Sequence, residues 1–73
     1  MENDRLLILF GQRVRDLRKA NGMSQEALGL EVDLEQAYIS DIERGLRNVG
    51  LKSVHAIAHA LGVTLAELLE GVD

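Results

Sequence analysis

Leu6, Phe10, Val14 and Leu17 recur at steps of four, four and three, which is one face of an α-helix. Arg13, Arg15, Asp16 and Lys19 fall off that stripe. A first helix is therefore predicted from about Asn3 to Ala20, stopped by Asn21-Gly22. Leu7 and Leu9 lie outside the stripe and are expected on the surface. Ser24 is a natural N-cap, and Met23 and Leu28 flank it at the spacing of a hydrophobic staple. They start a short second helix that ends near Val32-Asp33. A third carries Ile39 and Ile42 inward and stops at Gly45, with Asp33 a better capping residue than Glu35. Leu46 to Gly50 is a loop. A fourth helix turns Leu51, Val54, Ala58 and either Leu61 or Ile57 inward and ends at Gly62. Thr64 and Glu67 have the spacing of a capping box, with Val63 and Leu68 as its staple, so a fifth helix begins there and ends at Gly71. No strand alternation, repeat or linker interrupts this pattern. The prediction is an all-α chain of five short helices in one domain, 1–73.

Composition narrows the chemistry. At 73 residues the chain buries only about 60% of its unfolded surface, so its core must be efficient. Phe10 and Tyr38 are the only aromatic residues, so that core is aliphatic. The absence of cysteine removes disulfides, thiolate zinc clusters and a cysteine nucleophile. The apolar run from Leu6 to Phe10 is far too short to span a bilayer, and Glu2 and Asp4 argue against a signal peptide, so a cytoplasmic protein is expected. His55 and His59 stand at i and i+4, but no third ligand completes a metal site. Ser24 has no base beside it, and no phosphate-binding loop or carboxylate dyad is present. Neither an enzyme nor a cofactor is expected.

The formal net charge is −4. Arg5, Arg13, Arg15, Arg18 and Lys19 crowd into the first segment, whereas Glu26, Glu31, Asp33, Glu35, Asp41 and Glu43 outnumber Arg44 and Arg47 between Ser24 and Asn48. The sum weighs mildly against a nucleic-acid partner, although local placement around phosphates matters more than the total.

The two helices at about 25–44 are joined by a turn too short for a parallel hairpin, which is the spacing of a helix-turn-helix. Gly29 lets their backbones approach, and Asp33 tolerates the positive φ that the turn needs. Leu28, Val32, Leu34, Ile39 and Ile42 hold the pair against the remaining helices. The exposed side of the second helix is short and polar, with Gln36, Ala37, Ser40 and Asp41, as suits entry into a major groove.

The runs Phe10-Gly-Gln-Arg-Val-Arg-Asp-Leu-Arg18, Gly22-Met-Ser-Gln-Glu-Ala-Leu28, Tyr38-Ile-Ser-Asp-Ile-Glu-Arg-Gly45, Arg47-Asn48 and Ile57-Ala-His-Ala-Leu-Gly-Val63 together resemble the phage-repressor, or Cro/C1 (XRE), type of helix-turn-helix DNA-binding protein. The Tyr38-Ile-Ser, Arg47-Asn48 and Leu51-Lys52-Ser53 details are similar to controller proteins of restriction–modification systems. The resemblance implies the compact five-helix fold of the lambda-repressor type and a sequence-specific transcriptional regulator. Gln25 would then donate to a DNA phosphate, and Gln36 and Ala37 would face base edges. Ser40 and Asp41 would reach bases or backbone, and Arg44, Arg47 and Asn48 would grip backbone or groove. Tyr38 would either reach phosphate or pack within the protein, and Arg18 and Glu43 would form a structural ion pair. The chain departs from the family pattern at Asp33, usually Gly; at Gly29, usually Ala; and at the caps Glu35 and Gly50. The other reading is an antitoxin or antirepressor that uses the same fold mainly to bind a protein.

A single reader of this size covers few base pairs, so a homodimer on a roughly palindromic operator is expected. Val63, Leu65, Ala66, Leu68 and Leu69 cannot all face inward on so short a helix. Leu68 is assigned to the core, and Leu65, Ala66 and Leu69 to a two-fold interface. Helix 1, with Leu7 and Leu9, is the rival surface.

Overall fold

The structure, a computed structural model, describes residues 2–73, with side chains from residue 5 onward. It has five helices: α1 (Glu2–Ala20), α2 (Gln25–Val32), α3 (Gln36–Glu43), α4 (Leu51–Ala60) and α5 (Leu65–Leu68). No strand occurs among the described residues. Apart from Phe10 the core is aliphatic: Phe10 and Val14 from α1, Leu28 from α2, Ile39 and Ile42 from α3, Val54, Ile57 and Ala58 from α4, with Leu61 and Leu68. Leu17, Met23, Val32, Leu34 and Val63 pack around it.

Each boundary follows from local chemistry. The Ser24 hydroxyl accepts the Ala27 N–H, which starts α2. Asp33 ends it in the left-handed region, at φ 60° and ψ 43°. There the N–H groups of Asp33 and Leu34 both donate to the Gly29 carbonyl. Gly29 is required by the same turn, because a Cβ at that position would run into the Leu34 carbonyl oxygen. The sequence pattern thus located both the crossing residue and the positive-φ residue. Glu35, not Asp33, stands at the N-cap of α3, and its side chain makes no capping bond. With Asp33 consumed by the αL turn, α3 starts without a side-chain cap. Thr64 and Glu67 form the full capping box of α5, with the Glu67 N–H on Thr64 Oγ1 at 3.0 Å and the Thr64 N–H on Glu67 Oε1 at 2.8 Å.

Four apolar residues do not sit as their periodicity implied. Leu6 and Leu51, expected inward, are 47% and 74% exposed, while Leu7 and Leu9, expected on the surface, are half-buried. Each exposed leucine lies near the first turn of its helix, beyond the point where the core begins at Phe10 and Val54. Helix α5 is also only one turn long, so the expected single stripe of Leu65 and Leu69 is split. Leu65 is half-buried against the core, Ala66 is exposed, and Leu69 is 40% exposed.

Helix α1 is the post on which α3 is mounted. Gly11 is buried, and a Cβ there would meet the Ile42 carbonyl oxygen and the Glu43 carbonyl oxygen, the latter at 2.6 Å. At the next contact the roles reverse: Gly45, at φ 77°, lies where a Cβ would come within 2.7–2.9 Å of Ile8. Gly45 therefore both reverses the chain after α3 and lets α1 pass it.

Candidate nucleic-acid interface

Gln36 and Ala37 are exposed at the start of α3, and Ser40 follows one turn later, half-buried. This is the surface left free once Ile39 and Ile42 are buried on the opposite side of α3. Beside it opens a polar cleft lined by Arg15, Arg18 and Lys19 of α1, Gln25 of α2, and Ser40, Glu43 and Arg44.

The cleft floor is one buried charge network. Arg18 and Glu43 are each only 8% exposed. Arg18 Nε donates to Glu43 Oε2 at 2.6 Å and Nη2 to Oε1 at 3.0 Å, a bidentate fork. Its third nitrogen, Nη1, donates to the Met23 carbonyl at 2.8 Å. Hydrogen bonding to Glu43 outweighs desolvation and holds the guanidinium pKa above its ordinary value, so it stays charged. Gln25 Nε2 also donates to Glu43 Oε1, at 3.0 Å. The side chain expected to reach a phosphate is thus tethered to the network at the cleft wall. The glutamate neutralises Arg18, whereas Arg15 and Lys19 remain exposed on either side of it. Both belong to the basic run of α1 that falls off its apolar stripe. The signal that places them is helical spacing: once Arg18 points at Glu43, residues 15 and 19 flank it.

A second cluster closes the far end. Arg44 Nη2 donates to Asp41 Oδ1 at 2.8 Å, and Arg47 Nε to Asp41 Oδ2 at 3.3 Å. The hydrogen bond from Arg44, foremost, keeps the Asp41 carboxyl below the usual carboxylate range. Arg47 stacks over the Tyr38 ring, 5.1 Å from its centroid. The ring itself is half-buried against the core. Asn48 is exposed but lines an apolar groove rather than the polar cleft.

That groove is bordered by Leu6, Leu7, Phe10, Val49, Leu51, Val54, Leu69 and Val72. The α5 end and the α1 start, expected to be rival surfaces, are two walls of one depression. Arg13 ties them together: its Nη2 donates to the Glu67 carbonyl at 2.6 Å, and its Nε lies 3.2–3.3 Å from the Glu67 and Leu68 carbonyls. A cation on the last carbonyls of a helix is favourable, but periodicity assigned Arg13 only to a polar face.

A helix-turn-helix family model matches residues 14–68, from the core of α1 through α5. The chain belongs to this family. It is a DNA-binding transcriptional regulator of the XRE type, and not an enzyme. Control protein C.BamHI of Bacillus amyloliquefaciens is 53% identical over 64 residues, covering 86% of this chain and 79% of that protein. Control protein C.MunI of a Mycoplasma species is 40% identical over 67 residues, covering 90% of each. The crystal structure of the restriction–modification controller protein C.AhdI from Aeromonas hydrophila superposes with a TM-score of 0.82 at 45% identity, covering 85% of this chain and 90% of that one. Among the described residues no helix is long and apolar enough to cross a membrane.

Proposed function

We propose that this regulator binds a roughly palindromic operator as a homodimer in the cytoplasm and controls a restriction–modification operon. The observation that carries the DNA-reading part is the exposed Gln36 and Ala37 with half-buried Ser40 beside a cleft that carries Arg15, Lys19 and Arg44, with Arg47 held next to Arg44 by Asp41. A chain of net charge −4 keeps a basic rim there because Glu43 and Asp41 are each matched by arginine. The two glutamine and alanine positions carry the base reading, and the arginines the backbone grip. The similarity to C.BamHI and C.MunI supports the operon assignment.

The test is a band-shift titration with the duplex that the chain selects from randomised DNA. Gln36→Ala is expected to weaken binding by about 1–3 kcal/mol and relax preference at one base pair. Arg44→Ala or Arg47→Ala should weaken binding across sequences and flatten the salt dependence by about one counterion. Three folded variants with unchanged affinity would remove DNA reading from this face. A chain that binds only a protein partner would show no steep salt dependence on any duplex.

For dimerisation, the apolar groove supports an interface built from Leu69, Leu6 and Leu51, to which the exposed Ala66 and the half-buried Leu65 of α5 add. Exposed leucines gathered in one depression gain most by meeting a second copy. Leu69→Glu or Leu51→Glu should sediment as a folded monomer and bind the selected duplex more weakly, since the second half-site is no longer tethered. Variants that stay dimeric would move the interface elsewhere.

A further inference from the structure

Asp41 is a carboxylate on the recognition helix whose position is not explained by the core. Phosphates repel it, and exposed ion pairs add little to stability. Its two oxygens are engaged within the protein. Oδ1 is turned to Arg44 and Oδ2 to Arg47, so both oxygens already accept a guanidinium hydrogen bond. What Asp41 does is fix two arginines that are otherwise 65% and 51% exposed at the side chain. Arg47 belongs to the loop after α3, yet Asp41 and the Tyr38 ring hold it against the helix from two directions. Each guanidinium carries five N–H donors and spends one on the carboxylate, so the others remain available to phosphate oxygens.

We propose that Asp41 is a positioning residue that raises discrimination between operator and random DNA by pre-setting Arg44 and Arg47. This rests on the reading of α3 as the DNA-facing helix. Two consequences act in opposite directions on the two kinds of duplex. On random DNA, where arginines are recruited only as mobile charges, the carboxylate cancels part of their charge and lowers the number of counterions released. On the operator, the arginines are already ordered where the backbone runs, so less side-chain freedom is lost on binding. Specificity is the difference between the two affinities, and Asp41 widens it from both ends.

Asp41→Asn keeps the shape and removes the charge. In the full-length chain it is expected to bind a random duplex about fivefold tighter, with a salt slope steeper by about one, while the selected operator duplex gains nothing. The operator-to-random ratio should fall by about fivefold. A second readout needs no DNA. Tyr38 is the only tyrosine and there is no tryptophan, so the near-ultraviolet circular dichroism to the long-wavelength side of the Phe10 bands reports this ring. Its signal should weaken in Asp41→Asn to the level of Arg47→Ala, with the far-ultraviolet spectrum unchanged. An unchanged ratio with an unchanged tyrosine signal overturns the proposal. So does a variant that loses preference at a single base pair with random binding untouched, because Asp41 would then be a direct reader. If Arg44→Ala and Arg47→Ala leave DNA affinity unaltered, it is the α3 face itself that fails, which separates the two readings.

Discussion

Glu43→Ala is expected to destabilise the chain by about 3–5 kcal/mol, a large share of the roughly 5–15 kcal/mol that holds a small domain together. The cost comes from what is left behind. Glu43 accepts both forked bonds of Arg18 and the amide of Gln25. Its removal leaves a guanidinium, 8% exposed, with only the Met23 carbonyl as partner. A buried charge without its counter-charge costs far more than the pair contributes when intact, because desolvation was already charged against both ions on folding. The double replacement Arg18→Met with Glu43→Leu should accordingly recover most of the loss. Chemical denaturation of the four chains makes a thermodynamic cycle, and no coupling between the two positions would reject the pairing as an energetic unit. The recovered double variant should still bind DNA poorly, since Gln25 loses its tether at the cleft and α3 loses its tie to α1.

Helix positions were legible in the sequence where a boundary is written in local chemistry, and less so at the uncapped start of α3 and at the end of α5, which comes at Leu68 rather than Gly71. Ser24, Asp33 and the Thr64–Glu67 box set three of them without reference to the rest of the fold. Burial was legible in the middle of each helix, at Phe10, Val14, Ile39 and Ile57, where a periodic stripe necessarily meets the core. It failed at Leu6 and Leu51, since period alone does not say where along a helix the packing partner begins. The site divides the same way. Gln36 and Ala37 follow from being on the face opposite Ile39 and Ile42. The partners of Asp41, the tether on Gln25 and the cap that Arg13 places on α5 do not follow, because each joins residues whose sequence separation carries no pattern. One omission was avoidable: Gly11 stands in mid-helix, where glycine costs about 1 kcal/mol against alanine, and such a residue asks for a packing reason.

That reason gives the second large effect. In an ordinary helix interior Gly→Ala stabilises by up to about 1 kcal/mol. At Gly11 the added methyl would enter the space of the Ile42 carbonyl oxygen and lie 2.6 Å from the Glu43 carbonyl oxygen and 2.8 Å from its carbon. These are backbone atoms at the end of the recognition helix, not the tip of a flexible side chain, so relief requires α3 to move away from α1. The sign is therefore expected to reverse. Gly11→Ala should be destabilising by about 1–3 kcal/mol, and Gly11→Val, with two further methyl groups in the same gap, by about 3 kcal/mol or more. Where Gly11→Ala stays folded, its displaced α3 also carries Gln36 and Ser40 off their positions and pulls Glu43 from Arg18. Operator affinity should then drop although residue 11 touches no DNA, with loss of preference at the base pairs that Gln36 reads. Urea melts alongside band shifts on selected and random duplexes make the comparison. If Gly11→Ala melts at higher urea than the parent chain, the two backbones are not in the contact described, and the mounting of the recognition helix on α1 has to be sought in Gly45 and Ile8 alone.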